Sequence, residues 1–336
     1  MSVLNNIATL CRTARPHIVL SEGEDPRVAE AAVRAGAEGL ARITLLGATD
    51  RVRRGIAGAA GQAEIDVLDP EASDRIEDYA TAYHALRRHK GVDMVEARKV
   101  MRSPLGFAAM MLRQGDADGT IGGAVATTAE TVRTALQIVG KAETADVVSS
   151  CFLMLLGAPF SRPVIFADCG LILQPTAVEL ASIAIASAGS LTALTGQTPR
   201  IAMLSFSTLG SVPDTAHESI GRINTAVRLV RDRRPDLMIE GEIQFDAALM
   251  PDVASSKAPA SILGGNANVF VFPSLSAGNI GYKIAQRLGG AMALGPIIQG
   301  LARPANDLSR GCSVDDVYRM IAITGAQSAA MKRIAA

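Results

Sequence analysis

The chain has no tryptophan, and aromatic residues make up only 4% of it. Hydrophobic residues reach 49%, so a buried core has to be built from Ala, Val, Leu, Ile and Met. Net charge is absent too, because Lys plus Arg and Asp plus Glu both number 33. No global field then draws the chain to nucleic acid or to an anionic membrane, and an anionic ligand must be held by local arginines. No apolar run approaches the ~20 residues that span a bilayer, the longest being 151–160, and no secretory pattern opens the sequence. Cys11, Cys151, Cys169 and Cys312 show no C-x-x-C spacing and no disulfide framework. They read as reduced thiols of a cytoplasmic protein. His17, His84, His89 and His217 lack metal-ligand spacing, so no metal site is expected. The sequence contains no H-E-x-x-H, no G-x-x-x-x-G-K-[ST] and no G-x-G-x-x-G. Zinc hydrolase, P-loop NTPase and Rossmann dehydrogenase all lose their usual support.

What is present is a strand–turn–helix order in a chain of 336 residues, enough for two domains. Residues 17–20 are apolar. Asp25 then suits a helix cap and Pro26 the first helical position, ahead of a stripe of Val28, Ala31, Ala32 and Ala35. Strands are expected at 43–46, 64–68, 163–169, 200–205, 238–241, 269–272 and 291–298, with parallel pairing as the default. Helices are expected over 72–89, 177–195 and 315–334, and another begins where Ser276, Gly278 and Asn279 sit, ahead of the helical pattern of 282–288. A new unit opens near residue 148.

Polar groups concentrate at strand ends, where ligands of open α/β sheets bind. Thr127 or Thr128 can cap a helix whose free N–H groups, with Arg133 on the second turn, suit an anion. Residues 205–211 form a hydroxyl-rich loop containing Ser207 and Thr208. Glu242 and Asp246 are candidates for acid–base work in isolation and read mainly as cleft-shaping or helix-capping groups. Arg87 to Lys90 can be a solvated basic helix end. In 306–316, Ser309 can cap a turn, and Arg310 can pair with Asp307 or Asp316 or offer a fork to phosphate. Cys312 is a candidate acyl carrier, which would give ping-pong kinetics, although nearby acids oppose its ionisation.

The stretch GNIGYKIAQRLGGAMALGPIIQGLARPANDLSRGCSVDD resembles the C-terminal signature of phosphate acetyltransferases, and less closely that of phosphate butyryltransferases. The resemblance runs from about Ile18 to Ala330 through IVLSEGEDPRVAEAA, YHALRRHKG, ATTAETVR, SFSTLGS and GEIQFDAA. It departs at Leu209, where the family usually has lysine, and at 170–174, where the family has a more polar loop.

The resemblance implies two α/β domains with a cleft between them, similar to isocitrate and isopropylmalate dehydrogenases. The first would comprise 1–147 and 296–336 and the second 148–295. It implies reversible acetyl transfer between acetyl phosphate and coenzyme A by direct thiolate attack in a ternary complex. Asp316 would be the base, Ser309 the hydrogen-bonding partner and Arg310 the phosphate and transition-state group. Arg87, Arg133, Thr128, Ser207, Thr208, Asn279 and Arg287 would bind substrate. No cofactor is implied, coenzyme A being a substrate, and a homodimer is expected. Butyryl preference and a non-catalytic acetyl-CoA-sensing module are the alternatives, and the intact Ser309, Arg310 and Asp316 weigh against the second. A thiol at about 8.5 and a free Asp at about 3.9 differ by roughly 4.6 units, or about 6 kcal/mol. Asp316 therefore serves only if burial raises it or if proton transfer accompanies attack.

Overall fold

Strand β1 (His17–Leu20) is buried along its whole length, as a central strand of a parallel sheet has to be. The computed structural model describes residues 3–57, 65–213, 215 and 217–335. The chain divides into two units, Met1–Ala142 with Leu301–Ala336, and Glu143–Gly300. Glu64 lies outside the described residues.

The first unit opens with α1 (Val3–Ala14) and β1, followed by α2 (Pro26–Ala37). The Asp25 side chain accepts the Arg27 N–H at the start of α2. Next come β2 (Arg42–Leu46), α3 (Thr49–Gly55), β3 (Ile65–Leu68) and α4 (Ile76–Arg87). Helix α4 is shorter than the 72–89 expected. Short 3-10 turns, Pro70–Ala72 and Arg88–Lys90, flank it, and Gly91 at φ 82° ends the second. Then follow α5 (Met94–Arg102), α6 (Pro104–Gln114), β4 (Gly119–Gly122) and α7 (Thr128–Ile138).

The second unit runs β5 (Ser149–Leu155), β6 (Pro163–Ala167), α8 (Ala177–Thr195), β7 (Arg200–Leu204), α9 (Glu218–Arg233) and β8 (Met238–Ile243). It continues with α10 (Phe245–Leu249), α11 (Pro251–Lys257), β9 (Val269–Val271), α12 (Leu275–Arg287) and β10 (Met292–Gln299). The chain then returns to the first unit with β11 (Ala305–Asp307) and α13 (Val314–Ala335).

The first sheet has the order β11-β4-β1-β2-β3 and every pairing is parallel. The second, β10-β5-β6-β9-β7-β8, is mixed, which corrects the parallel default. Its β10–β5 and β5–β6 pairs are antiparallel, the second because a short 156–162 connection cannot make the crossover that a parallel pair needs. Strand β11 was expected as loop. Its Asn306 and Asp307 are buried, and the Asn306 amide donates to Thr324 Oγ1 (2.8 Å) and Gln327 Oε1 (2.6 Å) of α13.

Helix α12 begins at Leu275, where Ser276, Gly278 and Asn279 were expected to open a helix ahead of the Tyr282 pattern. Ser274 caps it, and a Cβ at Gly278 would lie 2.2 Å from the Asp168 carbonyl, so this glycine allows close packing. Helix α8 is long and apolar enough to cross a membrane by length and composition. Its Leu180, Ile183, Ala184, Leu191 and Leu194 are buried against β6, β9 and α9, as in a core helix.

Candidate active site

In the first unit, loops at the carboxyl ends of β1, β4 and β11 meet. Glu22, just past β1, accepts the N–H groups of Ala124 (2.6 Å), Val125 (3.1 Å) and Ala126 (2.7 Å). Thr127 caps α7 in a reciprocal box with Glu130. The expected Thr127 cap is present, while the N–H groups just ahead of it, at 124–126, are held by Glu22.

Thr128 is exposed, and its hydroxyl donates to Asp307 Oδ2 at 2.7 Å. Asp307 is 1% exposed. Burial pushes its carboxyl up to about 6, the Glu22 charge adds to this, and the Thr128 and Thr131 hydroxyls oppose it. Gly123, at φ 98°, leaves room for this carboxylate, since a Cβ there would lie 2.2 Å from Oδ1.

Arg27 ties the loops together. Its guanidinium donates to the carbonyls of Arg310 (2.8 Å), Cys312 (3.0 Å) and Ala124 (2.9 Å) while Asp25 holds it at 2.8 Å. The Arg310 side chain is exposed and makes no ion pair with Asp307 or Asp316. Its charge and that of Arg133, also exposed, both act on Glu130, which hydrogen bonds from Thr127 hold below the usual carboxylate range. Ser309 is exposed. Its Oγ accepts the Gly311 N–H at 3.3 Å and its carbonyl accepts the Cys312 N–H at 2.8 Å, forming a turn.

Asp316 sits in the first turn of α13, where its Oδ2 accepts the N–H and hydroxyl of Ser313 at 2.9 and 2.8 Å. The Asp316 side chain is 46% exposed, and Arg319 approaches it at 3.9 Å. The buried Cys312 thiol is pushed up by burial first and by Asp25 and Asp316, with Arg27 opposing. Arg87 ends α4, its Nε is buried without a partner, and its charge acts on Tyr83.

In the second unit, buried Glu242 organises the loop after β7. It accepts from the Ser207 hydroxyl (3.0 Å), the Gly210 N–H (2.8 Å) and the Asn224 amide (2.9 Å). Glu242 is thus a loop anchor rather than a helix cap, while Asp246 accepts the Ala247 N–H and pairs with Lys257 at 2.7 Å. The hydroxyls of Ser207 and Thr208 are engaged within the loop, with Ser211, Glu242 and Gln244. Leu209 is held at φ 46°. Asp168 accepts the N–H groups of Gly170, Leu171 and Ile172 and the Ser150 hydroxyl. Asn279 donates to the Cys169 carbonyl at 3.1 Å. Arg287 stands exposed at the other end of α12, eight residues and about 12 Å along the axis. The structure does not bring these two together. Among the described residues no group of three His, Cys, Asp or Glu could hold a metal ion.

The sequence profile of the phosphate acetyl/butaryl transferase family matches residues 2–325. The chain belongs to that family. A phosphate acetyltransferase of Paracoccus denitrificans is 51% identical over 331 residues, 98% of this chain and 100% of the relative. A phosphotransacetylase from Streptococcus pyogenes superposes with a TM-score of 0.91 at 39% identity, over 98% of this chain and 99% of that one. A 4-hydroxythreonine-4-phosphate dehydrogenase from Burkholderia phymatum, 16% identical, shares the fold with a TM-score of 0.52 over 94% of this chain and 98% of that one. A transferase of the phosphate acetyl/butaryl family thus carries a dehydrogenase-like α/β fold, as the resemblance implied.

Within this family member, the first unit gathers Thr128, Arg133, Ser309, Arg310 and Asp316 around loops joined by Arg27 and Glu22. Sequence reasoning passed over both joining residues. Their signal was the segment SEGEDPR itself, where three acids and an arginine crowd a strand-to-helix turn.

Proposed function

We propose that this chain transfers an acetyl group reversibly between acetyl phosphate and coenzyme A. The observation that carries the reading is the exposed pair of cations, Arg133 and Arg310, both acting on Glu130 at the start of α7, in a member of this transferase family. The Arg310 fork takes the phosphate of acetyl phosphate, with Arg133 and Thr128 as further anion contacts. The coenzyme A sulfur attacks the acetyl carbonyl carbon. A C–S bond forms, the C–O bond to phosphate breaks, and phosphate leaves with the electron pair. The thiol proton passes to Asp316. That carboxyl is 46% exposed, so its transfer in step with attack is the route that avoids the free-Asp mismatch. Ser309 donates to the developing oxyanion, and Arg310 balances the departing charge.

Arg87, Ser207, Thr208, Asn279 and Arg287 complete the proposed substrate-binding set. The Ser207 and Thr208 hydroxyls are engaged with Glu242 and Gln244, so their contribution is to fix the loop backbone. No cofactor is proposed, since phosphate is already a good leaving group and coenzyme A is a substrate. The cytoplasm is the proposed location, and nucleic acid and membranes are not proposed partners.

A homodimer is proposed from α12. Its Ile280, Ile284 and Leu288 are 59%, 54% and 85% exposed at four-residue spacing, an apolar stripe suited to a second copy. Sedimentation of wild type and Ile284→Asp tests this, with a shift to monomer expected.

The decisive assay mixes protein, coenzyme A and acetyl phosphate without added metal and follows thioester absorbance. Turnover that collapses in Arg310→Ala and Asp316→Asn is expected, with acetyl phosphate preferred over its propionyl and butyryl homologues. A folded wild-type protein that binds acetyl-CoA without turnover would sink the reading.

A further inference from the structure

Glu22, Asp168 and Glu242, each at or near a strand end, use both carboxylate oxygens. Glu22 accepts three N–H groups, Asp168 three N–H groups and a hydroxyl, and Glu242 a hydroxyl, an N–H and an amide. Asp307 is the exception. Its Oδ2 takes the Thr128 hydroxyl, while its Oδ1 is buried with no hydrogen-bond partner. The backbone at Gly123 closes over that oxygen and leaves no space for another side chain. A buried carboxylate oxygen without a donor disfavours the charged form.

The hydrogen bond can run either way. With Asp307 ionised, the Thr128 hydroxyl gives its proton inward and offers only lone pairs outward. With Asp307 protonated, the carboxyl O–H donates to Thr128 Oγ1, and the threonine proton turns outward. Thr128 is exposed, so the reversal reaches the protein surface.

We propose that Asp307 is a positioning residue that sets the direction of the hydrogen bond through Thr128, so that a proton on Asp307 makes Thr128 a donor to an oxyanion at the start of α7. This rests on the reading of Thr128 as an anion contact. The midpoint of Asp307, about 6, places the reversal in an accessible range. Among surrounding charges, Glu22 acts on Asp307 directly from the loop after β1. Arg27 acts on the far side of that loop, beside Asp25 and Glu22, while Arg133 and Arg310 act on Glu130 at the exposed face of α7. A hydrogen bond to a charged group is worth about 1.5–3 kcal/mol, so the gain in anion affinity is about tenfold or more.

The test uses sulfate, which stays a dianion between pH 5 and 8 and removes substrate titration from the measurement. Sulfate binding to the intact protein is followed by calorimetry and as competition with acetyl phosphate. Wild-type affinity is expected to fall about tenfold as pH rises through about 6. Asp307→Asn is expected to lose that pH step. Thr128→Ser keeps it, and Thr128→Val binds weakly at every pH. Competitive sulfate binding with no step in wild type, or the same step in Asp307→Asn, overturns the inference and leaves the transferase reading intact. Unchanged sulfate affinity in Thr128→Val removes Thr128 from the site and overturns the inference with it. Should Asp307→Asn fail to fold, the Thr128 pair alone decides, since loss of the step must follow loss of the hydroxyl.

Discussion

The guanidinium of Arg27 donates to the carbonyl oxygens of both Arg310 and Cys312, at 2.8 and 3.0 Å. One side chain thus fixes the backbone on either side of Gly311. Arg27→Ala leaves these carbonyls and that of Ala124 without the fork and frees the 308–313 loop. We expect kcat/KM for acetyl phosphate to fall by about 10- to 100-fold, since a misplacement of about 1 Å costs that much. Arg27→Lys keeps the charge without the fork and recovers only part of the loss. Steady-state kinetics of the two variants against wild type check this.

Two buried carboxyls act on stability with opposite sign. Burial pushes Glu242 up, but hydrogen bonds from Gly210, Asn224 and Ser207 outweigh this and hold it below its ordinary value. A depressed folded value stabilises above the unfolded value and is lost as pH falls through the folded one. Asp307 is raised to about 6 against about 3.9 for a free Asp, so folding weakens as pH rises from about 4 to 6 and is level above. The shift corresponds to about 3 kcal/mol. Asp307→Asn should therefore raise Tm at pH 8 and have little effect at pH 4. Glu242→Gln should lower Tm at pH 8 and flatten the acid limb. Thermal melts across pH 3–8 give both signs in one experiment.

Cys312 is a poor acyl carrier, because its thiol is buried and raised. Cys312→Ser is expected to keep activity within about threefold, whereas a covalent acyl-thiol route loses most of it. Exchange of labelled phosphate into acetyl phosphate without coenzyme A should be absent. Exchange at a rate near turnover would establish the ping-pong route instead.

Leu209 occupies left-handed backbone at φ 46° while its N–H bonds the Glu242 carbonyl at 2.8 Å. A non-glycine residue there carries strain of about 1 kcal/mol. Leu209→Gly should raise the urea midpoint. Leu209→Lys should leave stability nearly unchanged, and any gain in coenzyme A affinity would identify the cation missing from this loop.

Much of the fold was legible because its strands are apolar runs and its helices carry caps. His17 to Leu20, Pro163 to Ala167 and the cap Thr176 all fall where the pattern puts them. Strand β11 was not legible, because Ala-Asn-Asp has no apolar signal and is buried only through partners on α7 and α13. Ser309, Arg310 and Asp316 stood out through one continuous motif. The tie from Glu22 to the N–H groups of 124–126 was not legible, because the two segments lie about a hundred residues apart in sequence.

Strand β11 and helix α13 belong to the same unit as residues 1–142, yet they are made after residues 143–300. During synthesis, residues 143–300 have left the ribosome and can assemble their own sheet while the first unit still lacks an edge strand and its longest helix. Until then β4 has an open side and the buried faces of α1 and α2 lack the helix that covers them. The unit begun by residues 1–142 is thus the aggregation-prone part while it waits, and the loop bearing Ser309 and Arg310 takes shape only after residues 143–300 have been made.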